Sequence, residues 1–150
     1  MGESMQLIIT LMKRLHWFQE GLERALEPAG LDPITRSQAF IMGHIAAGER
    51  RASKIAANLG VSRQAISQSL IELEQMGYIE LVPDPDDKRA RIIRFKAEFA
   101  EEGRICGAIF RELEQELARR IGARRISALR ESLEAEWGEA PVLGDIKVDN

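Results

Sequence analysis

Between Lys54 and Ser67 the chain reads Lys-Ile-Ala-Ala-Asn-Leu-Gly-Val-Ser-Arg-Gln-Ala-Ile-Ser, and its polar residues are of the types that read nucleic acid. Gln pairs bidentately with adenine, a Ser hydroxyl bonds either kind of base edge, and Arg suits guanine or a phosphate. With Ile66, Leu70 and Leu73 pointing inward on a helix, the opposite early face presents Arg63, Gln64, Ser67 and Gln68. The N-terminal part of such a helix is where base contacts concentrate. The spacing around these residues is that of two helices joined by a tight turn. Ala56 is small where the helices must cross, and Gly60, four residues on, permits left-handed backbone. Ser62 is placed to cap the second helix by accepting from its first backbone N–H groups. Val61, Ile66 and Leu70 are expected to fill the wedge between the two helices, with Arg50 and Lys54 positioning the pair on phosphates. A small-Gly-apolar spacing also arises by chance in ordinary helical hairpins, so the rest of the chain has to carry the case.

A second group of cations follows. Asp87-Lys88-Arg89 and then Arg91 lie at the tip of an expected hairpin, where arginine is favoured by the negative potential of a narrow minor groove. The alternative is a solvated tip whose ion pairs are worth little. Other chemistry finds no support. A phosphate loop, a dinucleotide glycine pattern, a nucleophile elbow and a His-Glu-x-x-His motif are all lacking, and Gly60-x-Ser62-x-Gln64 lacks the second glycine of an elbow. No catalytic residue, cofactor or metal ligand is expected, and the chain is not read as an enzyme. A metal site would have to rest on His16, His44 and carboxylates, because the single Cys106 allows neither a Cys cluster nor an intrachain disulfide. Cys106 lies beside Ile105 with Arg104 the only cation near it in sequence, which fits packing better than a reactive thiolate.

These residues need elements to hold them. Ile8, Leu11, Leu15, Phe18, Leu22 and Ala25 step by threes and fours, the seam of a long amphipathic helix that Pro28, Gly30 and Pro33 end. Such a seam lies on its own core or against a partner helix. Thr35-x-x-Gln38 has capping-box spacing and opens a helix carrying Phe40, Ile41, His44 and Ile45, stopped at Gly48. A short helix around residues 53–58 and a longer one from Ser62 to about Met76 follow, with Gly77 as C-terminal stop. Tyr78–Val82 and Arg91–Phe95 are strand-like runs around the turn-forming Pro83-Asp84-Pro85-Asp86-Asp87-Lys88. Ile109, Leu113, Leu117 and Ile121 mark one further helix; Ile126, Leu129, Leu133 and Trp137 mark another. The order predicts a mainly α fold with a small two- or three-stranded β wing, a winged helix-turn-helix with N- and C-terminal dimerisation helices. Residues 1–150 are read as a single domain: the winged helix-turn-helix over about 35–96, dimerisation helices over about 4–27 and 97–137, and a loosely ordered tail over 138–150.

The total charge of −3 and the pI near 5.5 argue against a nucleic-acid partner, but the distribution is uneven. Residues 49–96 carry nine basic against seven acidic side chains, leaving the remainder at −5. That asymmetry separates a groove-facing part from a solvating one. Met1-Gly2-Glu3-Ser4-Met5 lacks the basic start of a secretory signal and no apolar run is long enough to cross a bilayer, so the chain is expected in the cytoplasm and off the membrane.

From Met5 to Trp137 the chain resembles the MarR family of winged-helix regulators, in helix order, helix-turn-helix, Asp-Lys-Arg wing and two final long helices. The resemblance implies Asp87 as the residue that orients Arg89, Arg89 as the side chain inserted into the minor groove, and Arg91 as a helper. It implies a homodimer formed by the first and last helices, an expectation that the excess of apolar residues in 8–22 and 109–137 also supports. Two recognition helices related by a two-fold axis would meet a pseudo-palindromic double-stranded DNA operator. It further implies an effector pocket between dimerisation helices and winged domain, which Met12, Leu15, Trp17, Met42 and His44 would approach, although each also reads as plain core. A small aromatic or lipophilic effector there would release a repressor by favouring one dimer geometry. One departure is visible: where the family has Leu-Thr and an early glycine, this chain reads Phe95-Lys96-Ala97-Glu98-Phe99, with glycine delayed to Gly103. That leaves the start of the fifth helix open. The alternative function is a winged-helix module for protein–protein association without DNA binding.

Overall fold

The computed structural model describes the backbone of residues 3–144 and the side chains of residues 7–144. Six helices and one hairpin follow in the order α1 (Glu3–Leu26), α2 (Arg36–Ala46), α3 (Ala52–Leu59), α4 (Arg63–Gln75), β1 (Ile79–Pro83), β2 (Arg91–Phe95), α5 (Ala100–Ile121) and α6 (Ala123–Glu134). The chain divides into two compact units, one ending at Leu113 and one beginning at Glu114.

In the first unit, local chemistry sets the helix ends. Thr35 Oγ1 accepts from the Gln38 backbone N–H at 3.2 Å while Gln38 Oε1 accepts from Thr35 N–H at 2.8 Å. Two otherwise orphaned donors at the start of α2 are thereby satisfied reciprocally. Gly60 ends α3 at φ +64°, where Val61 N–H reaches back to Ala56 O at 3.1 Å. Gly77 does the same for α4 at φ +81°, with Tyr78 N–H on Leu73 O at 3.0 Å. An L side chain at either position would be strained.

The core lies among α2, α3, α4 and the hairpin. Ile41, Ile55, Ile66, Leu73, Ile79 and Ile93 are its largest fully buried side chains, each contributing about 1.5–3 kcal/mol of hydrophobic stabilisation. The β-wing is two-stranded and antiparallel, with Ile79 opposite Phe95 and Leu81 opposite Ile93. Ile93 N–H donates to Arg50 O at 2.9 Å, a single bond that ties the segment before α3 to β2 without making it a third strand.

Val61 departs from expectation. It is 41% exposed, and fully buried Ile55 of α3 takes the place beside Ile66 and Leu70. The buried cluster at that point is made of Ile55, Ile66 and Leu70 and does not include Val61. At the start of α5 the departure from the family pattern is resolved by aromatic packing. A 3-10 turn, Ala97–Phe99, precedes the helix, and buried Phe99 stacks on Phe95 at 5.3 Å and packs tilted against Tyr78 at 4.6 Å between ring centroids.

The seam of α1 splits in two. Leu22 and Leu26 are buried, whereas Leu7, Ile8, Met12 and Leu15 are between 47% and 66% exposed. Gly21 marks a close approach, since a Cβ there would meet Leu113 Cδ2 at 2.5 Å.

In the second unit, α6 holds no buried residue. Arg130 pairs with Glu114 and, at 3.8 Å, with Glu134. The last helix stops at Glu134, short of the expected Trp137, whose indole N–H donates to Ser132 O at 3.0 Å. Residues 138–144 form neither helix nor strand; the rest of the expected tail, 145–150, and the first two residues lie outside the described residues. Among the described residues no helix is long and apolar enough to cross a membrane.

Candidate nucleic-acid interface

Helix α4 has one buried and one solvent-facing side. Ser62 Oγ caps it by accepting from Ala65 N–H at 3.1 Å, and Ile66, Ser69, Leu70 and Leu73 are its buried residues. Arg63, Gln64, Ser67 and Gln68 all face solvent, as the sequence predicts, and so does the capping Ser62. Their states differ. The Ser67 hydroxyl donates to Arg63 O at 2.8 Å, leaving its lone pairs to accept. Gln68 Nε2 donates to Glu72 Oε1 at 3.0 Å, and the other oxygen of that carboxylate accepts from Gln38 Nε2 at 2.9 Å. Arg63 enters no ion pair among the described residues, so its charge is available to an anion.

The hairpin tip is a second exposed, cationic surface. Asp87, Lys88, Arg89 and Arg91 all face solvent. Asp87 Oδ1 accepts from Arg89 backbone N–H at 3.0 Å, and Ala90 N–H bonds Asp87 O at 2.9 Å. Asp87 therefore orders the turn that presents Arg89 through the backbone. Arg91 is turned back on the hairpin, donating to Leu81 O at 2.6 Å. Lys88 and Arg89 enter no ion pair among the described residues, whereas Arg94 is spent on Glu80 across the strands at 2.7 Å.

Arg50 and Lys54 are exposed at the start of α3. Beside them Glu49 Oε1 accepts from the backbone N–H of Arg50 at 2.9 Å and of Arg51 at 3.0 Å. The Arg51 N–H above all holds the Glu49 carboxyl below the usual carboxylate range.

Sequence reasoning missed two residues that support this surface. Asp84, 4% exposed, accepts from Arg51 Nη2 at 2.6 Å and from Asp86 N–H at 2.9 Å. It ties the wing to the N-cap of α3, and its signal was the carboxylate between Pro83 and Pro85 in a turn. Glu72 is the other: its partnership with Gln68 is the legible i, i+4 spacing, but that with Gln38 spans 34 residues.

The residues expected around an effector pocket lie on α1 and α2. Met12 and Leu15 are exposed on α1. Trp17 is half-buried beside Phe18, their ring centroids 5.0 Å apart. His44, half-buried, lies in the last turn of α2, and Nδ1 of His16 accepts from Arg36 at 2.9 Å. Met42 lines a hollow with Leu26, Ile34, Tyr78, Phe99 and Cys106. Its space, about 210 Å³ including the open mouth, falls below the range usual for ligand sites. Burial pushes the Cys106 thiol above its ordinary value; a backbone hydrogen bond opposes it by less, and the nearby Glu102 adds the smallest push, upward. Glu102 Oε2 is buried there without a hydrogen-bond partner. Among the described residues no group of three His, Cys, Asp or Glu is placed to hold a metal ion.

Residues 32–90 match the model of the MarR family. No curated protein matches the chain. Among solved structures, wild-type apo MarR from E. coli superposes with a TM-score of 0.65 at 21% identity, covering 89% of this chain and 95% of that one. A MarR-family transcriptional regulator from Rhodococcus sp. RHA1 gives 0.66 at 20% identity over 89% and 94%. A MepR mutant from S. aureus bound to an oligodeoxyribonucleotide gives 0.55 at 20% identity over 85% and 92%. The fold is the winged-helix fold seen in MarR-family transcriptional regulators.

Proposed function

We propose that this chain, whose residues 32–90 match the MarR family and whose fold is that of its regulators, is a homodimeric, sequence-specific transcriptional regulator that binds double-stranded DNA in the cytoplasm. The observation that carries the reading is the solvent-facing row Arg63, Gln64, Ser67 and Gln68 on a helix whose opposite face is buried, next to a wing that exposes Lys88 and Arg89. In this reading α4 enters the major groove, where Gln64, Ser67 and Gln68 meet base edges. Arg63, Arg50 and Lys54 bond phosphates, and the wing places Arg89 in the adjacent minor groove.

Dimerisation is supported by large apolar side chains left exposed on both units: Leu7, Ile8, Met12 and Leu15 on one, Leu129, Leu133 and Trp137 on the other. A second copy covering them would set two α4 helices on a pseudo-palindromic operator. Repression relieved by a small aromatic or lipophilic effector completes the proposal, since a guest favouring one dimer geometry weakens operator binding.

The test is an anisotropy titration against the chain's own upstream DNA and a scrambled control, at low and moderate salt. Tight binding to the first that weakens steeply with salt is expected. Arg89→Ala should weaken it about tenfold, within the range of minor-groove and phosphate contacts, at unchanged thermal stability; unchanged affinity would remove the wing from the interface. No binding beyond the control would leave a protein-association module instead.

A further inference from the structure

We propose that Glu72 is a specificity-determining positioning residue: it turns the amide of Gln68 so that the carbonyl oxygen faces the groove, selecting a base that offers an exocyclic amino group. The inference rests on the DNA-binding reading above.

The orientation follows from donor and acceptor chemistry. An ionised carboxylate only accepts hydrogen bonds, and an amide has one accepting and one donating end. Gln68 therefore turns its NH2 toward Glu72 Oε1, at 3.0 Å. Its oxygen is left at the other end of the planar amide, on a residue that faces solvent. Unaided, a glutamine on a helix surface turns either end outward and pays side-chain entropy to hold one pose.

Glu72 is itself held. Its second oxygen accepts from Gln38 Nε2 at 2.9 Å, and Gln38 is 5% exposed. The Gln38 amide is fixed from both ends, because its oxygen accepts from Thr35 N–H, a group that only donates, at 2.8 Å. A relay thus runs from the cap of α2 through Gln38 and Glu72 to the exposed tip of Gln68. A buried amide and a shared carboxylate make it rigid; a solvated i, i+4 pair alone would not be.

In the major groove adenine and cytosine present exocyclic NH2 donors, whereas thymine and guanine present oxygen acceptors at the equivalent edge. With one amide hydrogen held by Glu72, a carbonyl oxygen turned toward the groove favours the first pair over the second. Gln64, which has no such clamp among the described residues, carries no comparable bias.

The experiment is selection of binding sites from random duplex DNA by the full-length protein, wild type and variants, with thermal melting of each. Wild type is expected to prefer A or C at one position in each half-site by about tenfold, the scale of one good base contact. Gln68→Ala should erase that preference. Glu72→Ala should reduce it below about twofold at the same position and leave the others intact, and Gln38→Leu should act in the same direction less strongly. A merely structural role would lower the melting temperature and weaken all sequences alike. Loss of a repulsive charge would strengthen all alike. Either uniform outcome, or Glu72→Ala with an unchanged preference, overturns the relay. A wild-type protein that selects no sequence overturns the DNA-binding reading itself, a result distinct from any variant's.

Discussion

In the winged domain Ile41, Ile55, Ile66, Leu73, Ile79 and Ile93 are each less than 2% exposed, whereas α5 and α6 contain no buried residue and Leu7, Ile8, Met12 and Leu15 of α1 stay between 47% and 66% exposed. Both regions carry apolar residues at helical spacing. The first region closes on itself because three short helices and a hairpin converge on one centre. In the second, long helices present stripes that single-chain packing covers only in part, as where Leu22 and Leu26 are buried and Leu15 is not. Amphipathic periodicity therefore marks a face that must be covered, without saying by what.

The largest effect expected from this contrast is in the closed region. Leu73→Ala should cost about 2–5 kcal/mol, as large-to-small core substitutions do, and denaturant titration would read it. A loss under about 1 kcal/mol would mean that the core is looser than its burial indicates.

Next, in the proposed dimer, Leu15→Glu should leave helical content intact while shifting dimer to monomer by about 2 kcal/mol or more, the scale of an interface anchor. Light scattering across a dilution series would measure it. If the variant instead unfolds like Leu73→Ala, the open region is core and the contrast between regions fails.

A smaller effect is expected where the wing meets α3. Arg51→Ala removes the charged partner of buried Asp84. With half of the Arg51 side chain exposed, screening limits the loss to about 1 kcal/mol, and proteolytic nicking near residue 86 should rise with it.

The finest test concerns Cys106, on the boundary between the two regions. Burial raises its thiol, with Glu102 acting in the same sense, so less thiolate is present at any given pH. Alkylation near pH 8 should run several-fold slower than for a thiol in a short peptide, approach it as pH rises, and match it in denaturant. Equal rates in the folded state would mean that the hollow is open to reagents.

What could be read from sequence here is local. The capping box at Thr35, the Ser62 cap, the glycine turns at Gly60 and Gly77, and the exposed row on α4 each depend on residues within about one helical turn, where propensity and capping decide. The hairpin and its charged tip were legible for the same reason. The misplacement of Val61 shows where this ends, because spacing gave it a place in the wedge that Ile55 of α3 fills in the assembled core.

Tertiary structure alone decided which parts of each amphipathic stripe are covered, that Asp84 is buried against Arg51, and that Gln38 reaches Glu72 across 34 residues. Those pairings join elements whose approach depends on the whole core, and no period in the sequence encodes the partner. Hydrogen bonding and side-chain sterics act over a few ångströms along the chain, so the sequence by itself determined the elements and the exposed face of α4. Burial and long-range pairing are properties of the assembled fold, and they determined how that face is held.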